Sequence, residues 1–170
     1  MTTEKIAQLL NAQVNHEFYS AYLYLHFSNY YTEKGLKGFA NWYHVQAQEE
    51  RDHAMLFVQY MQNNDLPVTL ETIARPEIEL KELSSALKAA LEHEKFVTSL
   101  IYGIYDAASD AKDYRTLQFL DWFVKEQGEE ETNANDLILK MELFGGDAKS
   151  LYLLDQELAA RAYAAPSLVL

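Results

Sequence analysis

Glu50 and His53 stand three residues apart in Gln46-Ala47-Gln48-Glu49-Glu50-Arg51-Asp52-His53, a stretch without a helix breaker. On a helix, side chains at that spacing leave the same face, so a carboxylate oxygen and an imidazole nitrogen can reach one ion. The pair alone says little, since many helices carry one by chance. Its weight comes from an internal repeat. Glu17 and Glu50 are separated by thirty-three residues, as are Glu94 and Gln127; moving Glu17, Glu50 and His53 forward by seventy-seven positions lands on Glu94, Gln127 and Glu130. The same shift carries Glu49 to Glu126, Asp52 to Glu129 and Trp42 to Phe119.

A carboxylate buried alone is heavily penalised, and several buried together repel one another; cations remove both costs. An ordinary helix glutamate is simply solvated, but here six polar residues interrupt four apolar stripes at matching heights. The chemistry expected is that of two metal ions held by hard oxygen donors and one imidazole, a set that suits iron(II), manganese or zinc rather than copper. Gln127 stands where a symmetric site wants a carboxylate and Glu130 where it wants a histidine, so the second metal is expected to bind more weakly. Two metals bridged by Glu50 make the oxidation of iron(II) by dioxygen or hydrogen peroxide a reasonable hypothesis.

Holding six polar residues at one level requires long helices packed side by side. Glu4 to Lys34 contains no Pro or Gly and repeats Ile6, Leu10, Gln13, Glu17, Ala21, Tyr24 and Ser28 on one stripe, which predicts a first helix. Gly35-Leu36-Lys37-Gly38 breaks it, with room only for a reversal. A second helix is expected from Phe39 to Asn63, its apolar residues Phe39, Trp42, Val45, Leu56 and Tyr60 bracketing the polar centre. Between Asn63 and Glu79, Pro67 and Pro76 deny helix. That connection, at roughly 3.3 Å per residue, can travel the roughly 38 Å of the second helix. A third helix is expected from Leu80 to Ser109 and a fourth from Tyr114 to Phe144, with Asp113 as N-cap and Gly145-Gly146 as terminator. Ser150 to Ala162 reads as a short fifth helix, too short to join the bundle, with Leu151, Leu154, Leu158 and Ala162 on one face. The expectation is one all-α domain over residues 1–170, a four-helix bundle of two antiparallel hairpins joined by a long crossover, plus the fifth helix.

The 170 residues, 49% hydrophobic, suit one core. The absence of cysteine excludes disulfide frameworks, thiolate zinc sites and iron–sulfur clusters. No stretch approaches the roughly 18 apolar residues of a membrane span, and the first residues lack a signal peptide's pattern, so a cytoplasmic protein is expected. A formal charge of −12 repels nucleic acid and anionic membranes.

At this point the chain resembles a bacterial non-haem ferritin over nearly all of its length. The family's motifs stand here as Asn15-His16-Glu17-Phe18-Tyr19-Ser20, as Ala47-Gln48-Glu49-Glu50-Arg51-Asp52-His53-Ala54, as Glu94, and as Glu126-Gln127-Gly128-Glu129-Glu130. The resemblance implies that Glu17, Glu50 and His53 hold a first iron, and that Glu94, Glu130 and bridging Glu50 hold a second beside Gln127. It further implies that Glu49, Glu126 and Glu129, with Glu130, form a third iron site. Tyr24, two turns after Glu17, resembles the family tyrosine that hydrogen-bonds near the centre and supplies an electron; Trp122 is a second candidate for that part or a core residue. His16 and His93 each precede a ligand and point about 100° away from it, toward surface or interface, while His26 and His44 have no assigned role.

The resemblance implies a shell of twenty-four identical subunits that oxidises iron(II) inside each bundle and stores ferric mineral in its cavity, with the fifth helix packed among its own copies. Bacterioferritins resemble the same bundle but carry a second Glu-x-x-His and a haem-ligating methionine where this chain has Gln127, Glu130 and Asp52, so no haem is expected. Rubrerythrins add a cysteine-ligated iron domain, and the small DNA-protecting relatives lack the fifth helix and build their site between subunits. Two other readings remain: an oxidase or peroxidase with two metals that stores nothing, and a structural bundle around a static metal such as zinc.

Overall fold

Thr3 opens the first helix, its hydroxyl accepting from Ile6 N at 3.3 Å in place of a backbone partner. The computed structural model describes residues 2–170 and contains five helices: α1 Glu4–Glu33, α2 Lys37–Asn63, α3 Ser85–Asp110, α4 Tyr114–Phe144 and α5 Ala148–Leu158. No strand occurs among the described residues. α1 pairs along α2 and α3 along α4, with the 64–84 segment crossing between the hairpins. That crossover is pinned to α1 at Asn11, which donates to Thr69 O at 3.1 Å and accepts from Thr69 N at 2.8 Å.

Three helices depart from their expected bounds, for local reasons. α3 begins at Ser85 rather than Leu80, because the Ser85 hydroxyl accepts from Glu82 N at 3.0 Å and offers the backbone an alternative to the helix. The apolar Ile78, Leu80 and Leu83 seat the crossover on the core instead of extending the helical stripe. α2 begins at Lys37, so the second glycine of the break is helical; only Gly35, at φ +77°, makes the turn. α5 runs two residues earlier than expected and stops at Leu158, started by Asp147, which accepts from Lys149 N and Ser150 N.

The core lies in two apolar clusters. One gathers Leu23, Phe27, Tyr31, Phe39, Tyr43, Leu87 and Leu137; the other gathers Ile6, Leu10, Phe57, Met61, Ile101, Phe119 and Phe123. Glu17, Glu50, Glu94, Gln127 and Glu130 form a buried polar level between them. Each fully buried large side chain contributes about 2–3 kcal/mol of transfer free energy, and the polar level contributes none.

α5 lies across the start of α2. Asp155 Oδ1 accepts from Gly38 N at 2.8 Å and Phe39 N at 3.0 Å, satisfying two amides that α2 leaves open. Gly38 permits this approach, since a Cβ there would stand 1.6 Å from Asp155 O. The leucine face expected to lie among copies of the chain is used inside one subunit: Leu154 and Leu158 are buried and Leu151 packs on the same cluster, while Tyr152 and Leu153 face outward. Among the described residues, no helix is long and apolar enough to cross a membrane.

Candidate metal centre

Each bundle helix brings an acid to the polar level: Glu17 from α1, Glu50 with His53 from α2, Glu94 from α3, and Glu130 with Gln127 from α4. All six are at least nine-tenths buried. One ligand atom from each of Glu17, Glu50 and His53 lies within 4.8 Å of the other two, near enough to share an ion. His53 Nδ1 is 3.4 Å from Glu50 Oε2. Glu17 Oε1 accepts from Gln13 Nε2 at 2.8 Å, and Glu17 Oε2 is buried with no protein partner. A buried carboxylate oxygen without a donor is costly, and a cation at the convergence of these three residues would satisfy it.

The other half is organised by Glu94. Its Oε1 accepts from the Tyr24 hydroxyl, and its Oε2 accepts from Gln127 Nε2 at 3.1 Å. Gln127 Nε2 also lies 3.2 Å from Glu94 O and 3.3 Å from Thr98 Oγ1. Tyr24 is itself buried and stacks on Tyr43 with centroids 5.6 Å apart. Two glutamines that the sequence reading did not assign to the site support the ligands. Gln13 and Gln46 each precede a ligand by one helical turn and donate to it, Gln46 Nε2 reaching Glu50 Oε1 at 3.0 Å. The repeat could have found them, because they are separated by the same thirty-three residues as the glutamates they serve.

Burial and crowding set the charge state. Burial, with the Glu50 charge, raises the Glu17 carboxyl to about 8 against the relief given by His53. Burial with Glu50 and Glu130 lifts Glu94 far above the carboxylate range, and burial with Glu50 lifts Glu130 to about 7. Burial opposes ionisation of Glu50 as well, but the hydrogen bond and charge of His53 and the Gln46 donor outweigh it and hold Glu50 low. Burial opposes the His53 cation; the hydrogen bond and charge of Glu50 prevail and raise it to about 10. Without metal, the centre is therefore an imidazolium–carboxylate pair beside acids that burial shifts toward their protonated form.

Glu49, Glu126 and Glu129 are not drawn around one point with Glu130 as the first group is. The half-buried Glu49 is held by Arg161 Nη2 at 2.5 Å, and exposed Glu129 pairs with Lys125 at 3.4 Å. Burial raises half-buried Glu126 despite the attraction of His53. His93 is no surface group: it lies half-buried between α1 and α3, Nε2 2.7 Å from Ser20 Oγ and its ring edge-on to Tyr24. His16 packs edge-on to Phe96, and His44 is exposed. Trp122 meets the His53 ring edge-on, centroids 5.5 Å apart.

Comparison with known proteins gives a consistent result. The family model described as Ferritin-like domain matches residues 7–144. A bacterial non-heme ferritin of Staphylococcus epidermidis is 35% identical over 163 residues, covering 96% of this chain and 98% of that protein. One from Campylobacter jejuni is 36% identical over 156 residues, covering 92% and 93%. Among solved structures, an engineered closed form of the Archaeoglobus fulgidus ferritin superposes with a TM-score of 0.93 at 41% identity, over 96% of this chain and 100% of that one. The open pore ferritin of the same archaeon gives a TM-score of 0.92 at 41% identity, over 94% and 98%.

Proposed function

We propose that this chain, which belongs to the ferritin family, binds iron(II) as substrate within its own bundle, oxidises it, and stores the ferric product inside a shell of twenty-four copies. The observation that carries the reading is the convergence of buried Glu17, Glu50 and His53 around an oxygen without a partner. Glu17 and His53 hold one iron, Glu94 and Glu130 the other, and Glu50 is shared. Gln127 aims its amide at Glu94 and fixes that carboxylate for the second ion.

Two iron(II) ions give up one electron each. Together they reduce one dioxygen, with two protons, to hydrogen peroxide, or one hydrogen peroxide, with two protons, to two waters. The chain supplies a proton source at the same place. Binding two dications requires Glu17 and His53 to release the protons that burial and neighbouring charge keep on them. Tyr24 remains a phenol, because burial and the nearby Glu94 oppose its ionisation, and it donates to the carboxylate of the second iron. Through that hydrogen bond it orients Glu94 for the second iron. Glu49, Glu126 and Glu129 lie on the α2–α4 side, where oxidised iron would move on.

Sizing the purified protein, then adding iron(II) without air and admitting air, tests the whole reading. The expected result is a large assembly that takes up far more than two irons per chain; a small oligomer saturating near two would sink storage. Glu50→Ala is expected to abolish the fast initial oxidation, and an unchanged rate would remove Glu50 from its bridging role.

A further inference from the structure

The twelve residues after α5 do not leave the bundle. Asn41 Nδ2 donates to Arg161 O at 2.9 Å and starts this segment down the groove between α2 and α4. Arg161 lies over Trp42, its Cζ 4.2 Å from the ring centroid, and its guanidinium donates to Trp42 O at 3.3 Å, Gln46 Oε1 at 2.9 Å and Glu49 Oε2 at 2.5 Å. Further on, the Tyr163 hydroxyl donates to Asp52, and Ser167 Oγ accepts from Trp122 Nε1 at 2.9 Å. Leu168 ends the run beside Tyr60 and Phe119. From Gln46 to Tyr60, α2 rises about 21 Å, and seven residues from Arg161 to Leu168 span about 23 Å when extended. The segment is a strap over the level of the metal centre.

Its attachments reach the ligands through single intermediates. A glutamine amide can turn either its donor or its acceptor toward a neighbour. Arg161 has only donors, so it takes the Gln46 oxygen and leaves the Gln46 NH2 facing Glu50. Ser167 holds the indole nitrogen of Trp122, whose ring lies edge-on to His53. We propose that the strap is a latch on the metal centre. Arg161 is a positioning residue that orients Gln46 and thereby Glu50, and metal passes between the centre and the α2–α4 face when the strap lifts. This rests on the assignment of Glu17, Glu50 and His53 as metal ligands.

Cobalt(II), which is not oxidised under these conditions and absorbs visibly when bound, is the probe. The full-length protein is loaded with cobalt(II), mixed with excess EDTA, and its release followed by absorbance. Arg161→Ala is expected to release metal about tenfold faster, the order for loss of a charge-assisted hydrogen bond, and Arg161→Lys to fall between. Both tryptophans of the chain touch the strap. Quenching of their fluorescence by acrylamide should therefore rise in step with the release rate. Tyr163→Phe removes only the Asp52 contact and keeps the test available if Arg161→Ala does not fold; a smaller acceleration is expected. Quenching that rises while release stays within twofold of the parent would overturn the latch. A parent protein that binds no cobalt(II) would instead overturn the ligand assignment on which it rests.

Discussion

Glu17 and His53 explain why the centre should be inert to acid and responsive to metal. At pH 7, Glu17 and His53 each carry a proton and Glu130 is near half-titrated, given values of about 8, about 10 and about 7, while burial raises Glu94 as well. Loading two dications is therefore expected to release roughly two to three protons per subunit from Glu17, His53 and Glu130. Calorimetry with zinc(II) in buffers of different ionisation enthalpy would count them, and a value near zero would contradict the proton inventory. His53→Gln should lower this count by one and weaken the first site by at least about tenfold, since a ligand and the partner of Glu50 go together. These residues were also the most legible part of the sequence, because a polar residue on an apolar stripe is conspicuous and the repeat marks it twice. Arg161 was not legible: it follows a helix that fixes neither its direction nor its groove.

At the level of elements, the α5–α2 junction is the most specific contact. Asp155 serves two α2 amides from another helix, so Asp155→Ala should cost about 1–2 kcal/mol, as a lost N-cap does. Gly38→Ala should cost more, because its Cβ would meet Asp155 O at 1.6 Å and separate the helices. Thermal melts of both variants check the order. The four long helices could be read from periodicity and breakers, and their ends mostly within a turn. The start of α3 and the use of the α5 leucines could not, since both depend on which neighbour an apolar residue meets. Leu80 continues a helical stripe in the sequence yet packs from a loop, and Leu154 is buried by its own bundle.

For the whole molecule, the buried acids tie stability to pH. Glu17, Glu94 and Glu130 bind protons more tightly in the folded state than the ordinary value of 4.5. The stability this gives is full below that value and is lost as pH rises through about 7 to 8 and beyond. His53, raised from 6.5 to about 10, acts in the same direction over a higher window. The depressed Glu50 has the opposite sign, but its contribution is lost only below 4.5. The metal-free protein should therefore melt several degrees lower at pH 9 than at pH 6, and saturating zinc(II) should remove most of that slope. A melting temperature that rises with pH without metal would contradict these charge states. The two apolar clusters on either side of the polar level add a mechanical consequence. Before metal arrives, the midsection of the bundle has charge and hydrogen bonds but little apolar adhesion, so the two ends can open as separate cooperative units. Metal acts as a rivet between them, and amide exchange should slow most at the middle of the helices, merging two unfolding events into one.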